Sequence, residues 1–193
     1  KKYQNLIYFE NGTVKTNFSK NNLSIDIFSK YSFIKDKDNS KINTKDKDDI
    51  KLHIVKKKDE DYVVQGAFKN RKKLIDPKTL FDFFKVKIDI LSDKEIKIET
   101  DNNFVFNINK KLKINDLKFK SNLKFDHLVI NYDSAVIKRY LKDYKNLVYF
   151  KDGAFDIDYS TNNLSVIGKT KYSLDKKFDN LKFELLKNNN LYK

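Results

Sequence analysis

His53 and His127 are the only imidazoles in the chain, and imidazole is the side chain best suited to moving protons or holding a transition metal near neutral pH. Each stands beside alternating apolar residues, Leu52 and Ile54 in one case and Leu128 and Ile130 in the other. That setting reads as an ordinary strand position. No Ser-His-Asp motif, no HExxH helix and no phosphate-binding glycine loop occurs, and the chain has only four glycines. It has no cysteine, which excludes disulfides and thiolate metal sites. Carboxylates are plentiful but interleaved with lysines, the pattern of a solvated face. Asn21-Asn22 and Asn162-Asn163 read as turn residues. No enzyme activity, metal or cofactor is expected.

The net charge of +14 invites a nucleic-acid reading. Only Arg71 and Arg139 are arginines, so 39 of the 41 basic residues are lysines. Bidentate recognition of phosphate or guanine favours arginine. The lysines are also spread along the chain, so no specific nucleic-acid partner is expected. No run of 18 apolar residues spans a membrane as a helix, and no signal peptide is visible. At 39% hydrophobic and 14% aromatic residues, the chain has material for a core. The lack of methionine, even at position 1, leads to the expectation of a processed or excised piece.

The elements that would position any site begin with a repeat. "NLIYFENGTVKTNFSKNNLSI" (Asn5 to Ile25) returns as "NLVYFKDGAFDIDYSTNNLSV" (Asn146 to Val166), 141 positions later. Aligned without a gap from Tyr3 on Tyr144 to Phe33 on Leu174, 14 of 31 pairs are identical, among them a glycine and an Asn-Asn-Leu-Ser. This marks an internal repeat. A fainter copy spans Asp76 to Phe106 and matches Asp133 to Val166. Each begins with an Asp as helix N-cap, followed by Pro77 or Ser134 at the first helical position. Short helices should follow over Leu80, Phe81 and Phe84, and over Val136, Ile137, Tyr140, Leu141 and Tyr144. The expected organisation is a single β-rich segment with repeats near 1–33, 76–106 and 133–174, and a mobile charged loop at 35–49.

Alternation of period two supplies the strands. Ile96 and Ile98 alternate with Lys97 and Glu99, and Phe104, Phe106 and Ile108 alternate with Val105 and Asn107. The same period runs through Leu112 and Ile114, Leu117 and Phe119, Leu123 and Phe125, Leu128, Ile130 and Tyr132, and Phe155, Ile157 and Tyr159. The parity slips at Asn115-Asp116 and at Asp126-His127, where turns or bulges are expected. Asn11-Gly12 and Asp152-Gly153 are the best candidates for hairpin turns. Asn102-Asn103 should turn in the faint copy. Leu52 and Ile54 should pair with Tyr62 and Val64 around a turn within Lys56 to Asp61. The fold class is mainly β: a curved, largely antiparallel sheet of repeated hairpins with one or two short helices. Its apolar face must be covered, either by a second sheet, making a β-sandwich, or by curling into a half-open groove. Periodicity alone favours the sandwich.

The succession of Asp, short helix, turn, alternating strands and Asn-rich turn, over Asp76 to Ile98, Asp133 to Tyr159 and partly Leu6 to Ile27, resembles the AsmA-like superfamily. That group includes TamB and related large envelope proteins of double-membrane bacteria. The resemblance implies a repeating β-groove, apolar inside and charged outside, on a periplasmic body anchored in the inner membrane. It also implies passage of phospholipid along the groove, and a link to outer-membrane assembly machinery. The groove would be lined by Ile96, Ile98, Phe104, Phe106, Ile108, Leu117, Phe119, Leu123, Phe125, Ile130, Phe155, Ile157 and Tyr159. Acyl chains of phospholipid are the expected partner, with self-association through an exposed edge strand near Leu6 to Ile27. The rival reading is a structural or adhesive β-repeat module with a closed core and no ligand.

Overall fold

The computed structural model describes residues 5–35, 47–75, 96–175, 177–188 and 191–192. Ten strands follow in chain order: β1 (Asn5–Ser19), β2 (Asn22–Lys35), β3 (Asp48–Lys57), β4 (Tyr62–Ile75), β5 (Ile96–Ile108), β6 (Ile114–Asn131), β7 (Leu147–Ser160), β8 (Asn163–Ser173), β9 (Asp179–Asn188) and the two-residue β10 (Leu191–Tyr192). They lie side by side in that same order as one antiparallel sheet. Among the described residues backbone pairing runs only between strands adjacent in sequence, with β1 and β10 at opposite ends, so the sheet does not close into a barrel and its main packing stays within one layer. Among the described residues the sheet is a single open layer, not the β-sandwich that periodicity alone favours. The accessible surface is 14846 Å², against roughly 9,600 Å² for a compact monomer of this mass.

Expected strands become real ones where β-branched and aromatic residues alternate with charge. Lys20 and Asn21 turn β1 into β2, and Thr161 and Asn162 turn β7 into β8. The second asparagine of each pair opens the following strand. Asp59 takes a positive φ of 63° between β3 and β4. Between β5 and β6 the Asn109 side chain accepts from the amides of Lys111 (2.9 Å) and Lys113 (3.0 Å), and Leu112 is driven to φ 57°. Leu112 is therefore a turn residue, not the strand residue its spacing suggested.

Asn11-Gly12 and Asp152-Gly153 are not hairpin turns. They lie inside β1 and β7, and each interrupts the register, between Glu10 and Thr13 and between Lys151 and Ala154. Asn11 has φ 52° and Asp152 φ 53°. A left-handed residue followed by glycine suits a mid-strand bulge as well as a tight hairpin. What decides is the alternation continuing on both sides. The two bulges share their fastening: Ser29 Oγ donates to the Glu10 carbonyl (3.1 Å), and Thr170 Oγ1, its counterpart 141 positions on, donates to that of Lys151 (3.0 Å). The slip near Asn115-Asp116 is a bulge opposite Val105 to Asn107, with Asp116 at φ 51°.

Asn102-Asn103 is mid-strand in β5, not a turn, and the helix expected after Pro77 lies outside the described residues. Before β7 one short helix, α1 (Ala135–Tyr140), is capped by Ser134, whose side chain accepts from the Ile137 amide at 3.2 Å. The expected cap, Asp133, instead pairs with Lys138 at 2.6 Å. Of the stretch 35–49, Lys35 closes β2, while Asp48 and Asp49 open β3, so its ends are strand rather than loop; 36–46 lie outside the described residues. No described helix is long and apolar enough to cross a membrane.

Candidate functional site: an uncovered apolar sheet face

Register decides which side chains share a face. Phe104 stands opposite Gly66 on one side and Phe119 on the other. Followed outward through every pairing, this row reads Val14, Ile27, Leu52, Gly66, Phe104, Phe119, Tyr159, Leu164 and then Lys187. Eight strands thus contribute to one row with no charge until Lys187. At about 4.8 Å between strands it runs roughly 34 Å. No side chain in it is buried; Tyr159 keeps 37% of its surface exposed and Val14 65%.

All the lining residues expected from sequence fall on this face. Ile96, Ile98, Phe104, Phe106 and Ile108 follow the parity of β5. Leu117, Phe119, Leu123 and Phe125 line up against them from β6, and Phe155, Ile157 and Tyr159 from β7. Ile130 joins only because β6 slips at Asp126, opposite the β7 bulge at Asp152. Ile96 and Phe125 are buried, and the others keep some exposure. The expected set stops short at β5. The same face continues over β2 to β4 through Ile25, Ile27, Leu52, Ile54, Val64 and Phe68, and over β8 and β9 through Val166, Phe183 and Leu185.

Two features of this face carry no short sequence signal. Three of the four glycines lie directly beneath phenylalanine rings. Gly66 is opposite Phe104, Gly153 opposite Phe125, and Gly168 between Phe155 and Phe183. A Cβ on any of the three would fall well inside 3.0 Å of ring carbons. The rings lie over the space a side chain would take, so the sheet is partly covered by its own side chains. They also form runs: Phe68, Phe104 and Phe106 at centroid spacings of 6.3 and 5.8 Å, and Phe125, Phe155 and Phe183 at 5.4 and 5.2 Å.

A polar seam separates these runs. Tyr31 Oη donates to Asn70 Oδ1 (2.5 Å), Asn70 Nδ2 to Thr100 Oγ1 (2.6 Å), Asn102 Nδ2 to Thr100 Oγ1 (2.7 Å), and Ser121 Oγ to Asn102 Oδ1 (2.7 Å). Tyr31, Asn102 and Ser121 are buried. Their partners come from several strands, so the seam fixes register while satisfying groups that would otherwise be costly to bury. Burial, and then the charge of Asp48, pushes the Tyr31 hydroxyl well above the usual tyrosine range.

The opposite face is wet. Directly paired positions carry Lys69 with Asp101 (2.5 Å) and Lys120 with Asp158 (2.9 Å). His53 Nδ1 meets Asp26 at 2.6 Å on this face, and both are well exposed. They border a shallow depression of about 480 Å³ that Lys15, Lys51, Gln65 and Asn103 also line. His127 is exposed opposite Lys151. Among the described residues no three His, Asp or Glu side chains gather into a metal-binding group. A hydrogen bond from Lys171 holds the Asp152 carboxyl below the usual range.

No protein-family model, curated protein or solved structure matches the chain.

Proposed function

We propose that the chain is a non-catalytic, lipid-binding segment of an envelope protein, carrying phospholipid acyl chains along its apolar face between membranes. The observation that carries this reading is the roughly 34 Å row from Val14 to Leu164, apolar across eight strands and left exposed by a one-layer sheet. An acyl chain laid on such a row loses water contact at about 0.8 kcal/mol per buried methylene. No bond need be made or broken, since an unbroken apolar path lowers the barrier to moving along it. Headgroups would stay at the rim, where Lys187 ends the row from Val14 to Leu164. The periplasmic setting, the inner-membrane anchor and the outer-membrane assembly partner belong to the same proposal, supported by the resemblance to AsmA-like proteins.

The test is lipid content. The chain is purified without detergent and its bound lipid quantified by mass spectrometry, beside Phe106→Asp and Phe119→Asp. Both positions retain exposure, so a carboxylate there can reach water and the fold should survive. Folded variants carrying several-fold less lipid support the reading, with Lys97→Ala on the wet face unchanged. A wild-type chain that carries no lipid and takes none from phospholipid vesicles refutes it.

A further inference from the structure

The two copies of the repeat differ in one respect that the chain itself makes measurable. β7 has β6 on its outer side, whereas β1 has no strand there among the described residues. Each residue of β1 therefore has a counterpart on β7 that shows what a neighbour does. Phe18 is 82% exposed where Tyr159 is 37%. Val14 and Phe9 are exposed at 65% and 58% where Phe155 and Phe150 are half-buried. Gly153 is buried beneath the Phe125 ring of β6. At Gly12, behind the matching bulge, the nearest described atom to where a Cβ would stand is Ser29 Oγ at 3.6 Å, with no ring as close. The seat exists twice and is filled once.

We propose that the outer edge of β1 is a docking site for an extended strand of the β6 kind. It would run antiparallel to β1, with an aromatic ring over Gly12 and an acidic residue across from Lys15. Backbone pairing along an unpaired edge supplies affinity, and side-chain pockets supply choice of partner. The β6–β7 register transfers directly: positions of Phe119, Leu123, Phe125 and Leu128 would face Phe18, Val14, Gly12 and Phe9. Between β1 and β7 charge differs at four aligned positions, Glu10 for Lys151, Asn11 for Asp152, Lys15 for Asp156 and Asn17 for Asp158, and an acid becomes a base only at Lys15. β7 presents Asp156 to the Asn122 amide, but β1 has Lys15 there, so a carboxylate fits better than an amide. A second copy of the chain is a poorer occupant. Its far edge is β9 and then β10, and β9 stands where β3 does, Lys187 against Leu164 as Lys56 is against Leu23. The inference is independent of lipid binding.

The experiment titrates the whole chain into a labelled peptide of residues 114–131, followed by fluorescence anisotropy, with hydrogen exchange of the β1 amides in parallel. Expected are saturable binding and protection of Phe9 to Phe18 with none gained on β9. A peptide carrying Asn122→Asp should bind about two- to fivefold tighter. Gly12→Val, whose Cβ would meet nothing closer than Ser29 Oγ at 3.6 Å in the unliganded chain, should weaken binding tenfold or more by filling the seat. A peptide carrying Phe125→Ala should weaken similarly, and it tests the seat without touching the fold of the protein. Absence of binding, or binding indifferent to both Gly12→Val and Phe125→Ala, overturns the proposal. So does a concentration-dependent dimer that Gly12→Val abolishes, which would place a second copy on the edge.

Discussion

Replacing Gly153 with alanine and Gly12 with alanine makes the same chemical change at equivalent points of one repeat, and the structure separates their outcomes. Both gain about 0.4–1 kcal/mol from reduced freedom of the unfolded chain. Neither glycine has a positive φ, so neither pays backbone strain. At Gly12 the new methyl meets Ser29 Oγ at 3.6 Å, ordinary contact. At Gly153 it would collide with the ring of Phe125, which is only 6% exposed. Either the ring leaves its place or the strands part. Overpacking of this kind costs about 1–3 kcal/mol. The unfolded-state gain is common to both and cancels in the comparison, so the two variants should differ by about 1–3 kcal/mol. At roughly 2–4 °C per kcal/mol for a chain of this size, that is about 2–12 °C in Tm. Urea unfolding can follow tyrosine fluorescence, since the chain has 11 Tyr and no Trp. The Phe125→Leu background completes a cycle: removing the ring edge should recover much of the cost of Gly153→Ala, appearing as coupling well above 0.5 kcal/mol. Equal effects of the two alanines, or no coupling to Phe125, would refute the account of rings laid over glycines.

Tyr31 is held neutral by burial and by Asp48. Because its folded pKa lies above its unfolded value, its contribution is complete below about pH 10 and is lost as pH rises toward the folded value. An alkaline fall in Tm, absent from Tyr31→Phe, would show it. Asp152 has the opposite sign, its pKa lowered chiefly by the hydrogen bond from Lys171. Its contribution is present above the ordinary carboxylate range and lost as pH falls through the depressed value, so Asp152→Asn should flatten the acid limb of a stability–pH curve below about pH 4. Leu112 sits at φ 57° and is 80% exposed. Leu112→Asn should stabilise by roughly 0.5–1 kcal/mol, because asparagine tolerates the left-handed region, and urea midpoints would register the change.

Strand positions on β3 to β7 were legible because apolar residues alternate there, as in Phe155 to Tyr159, whereas β9 was not read from the sequence. The lining residues fell on one face for the same reason, and the marked slips were where strands change parity: Asp116 at its bulge, and Asp126 facing Asp152. The number of layers was not legible. A strand buried against a second sheet and a strand open to water on its apolar side show the same period of two. The difference lies in what packs on the face, and that is a property of the whole chain.

The misread turns at Asp152-Gly153 and Asn102-Asn103 have one physical origin, which is that local chemistry was read without its cross-strand neighbour. Asp152-Gly153 has the backbone requirements of a hairpin turn, and only the flanking β6 and β8, pairing on both sides, make it a bulge. Asp101-Asn102-Asn103 has the composition of a turn. Asn102 is nevertheless held in the middle of β5, where its side-chain amide reaches the Phe68 carbonyl at 3.2 Å and its oxygen accepts from Ser121. Those partners lie 34 and 19 residues away, beyond any window in which composition is read. The same holds for Gly66, whose missing side chain is explained by Phe104 in the next strand. In a sheet with no second layer to impose order from above, specificity has to come from pairs of this sort. Asn102, Gly66 and Gly153 on the apolar face are each matched to a residue on an adjoining strand. A one-residue slip would set Asn102 against apolar side chains and leave the rings without their glycines, so these few positions discriminate the native register more strongly than the many interchangeable Leu, Ile and Val residues around them.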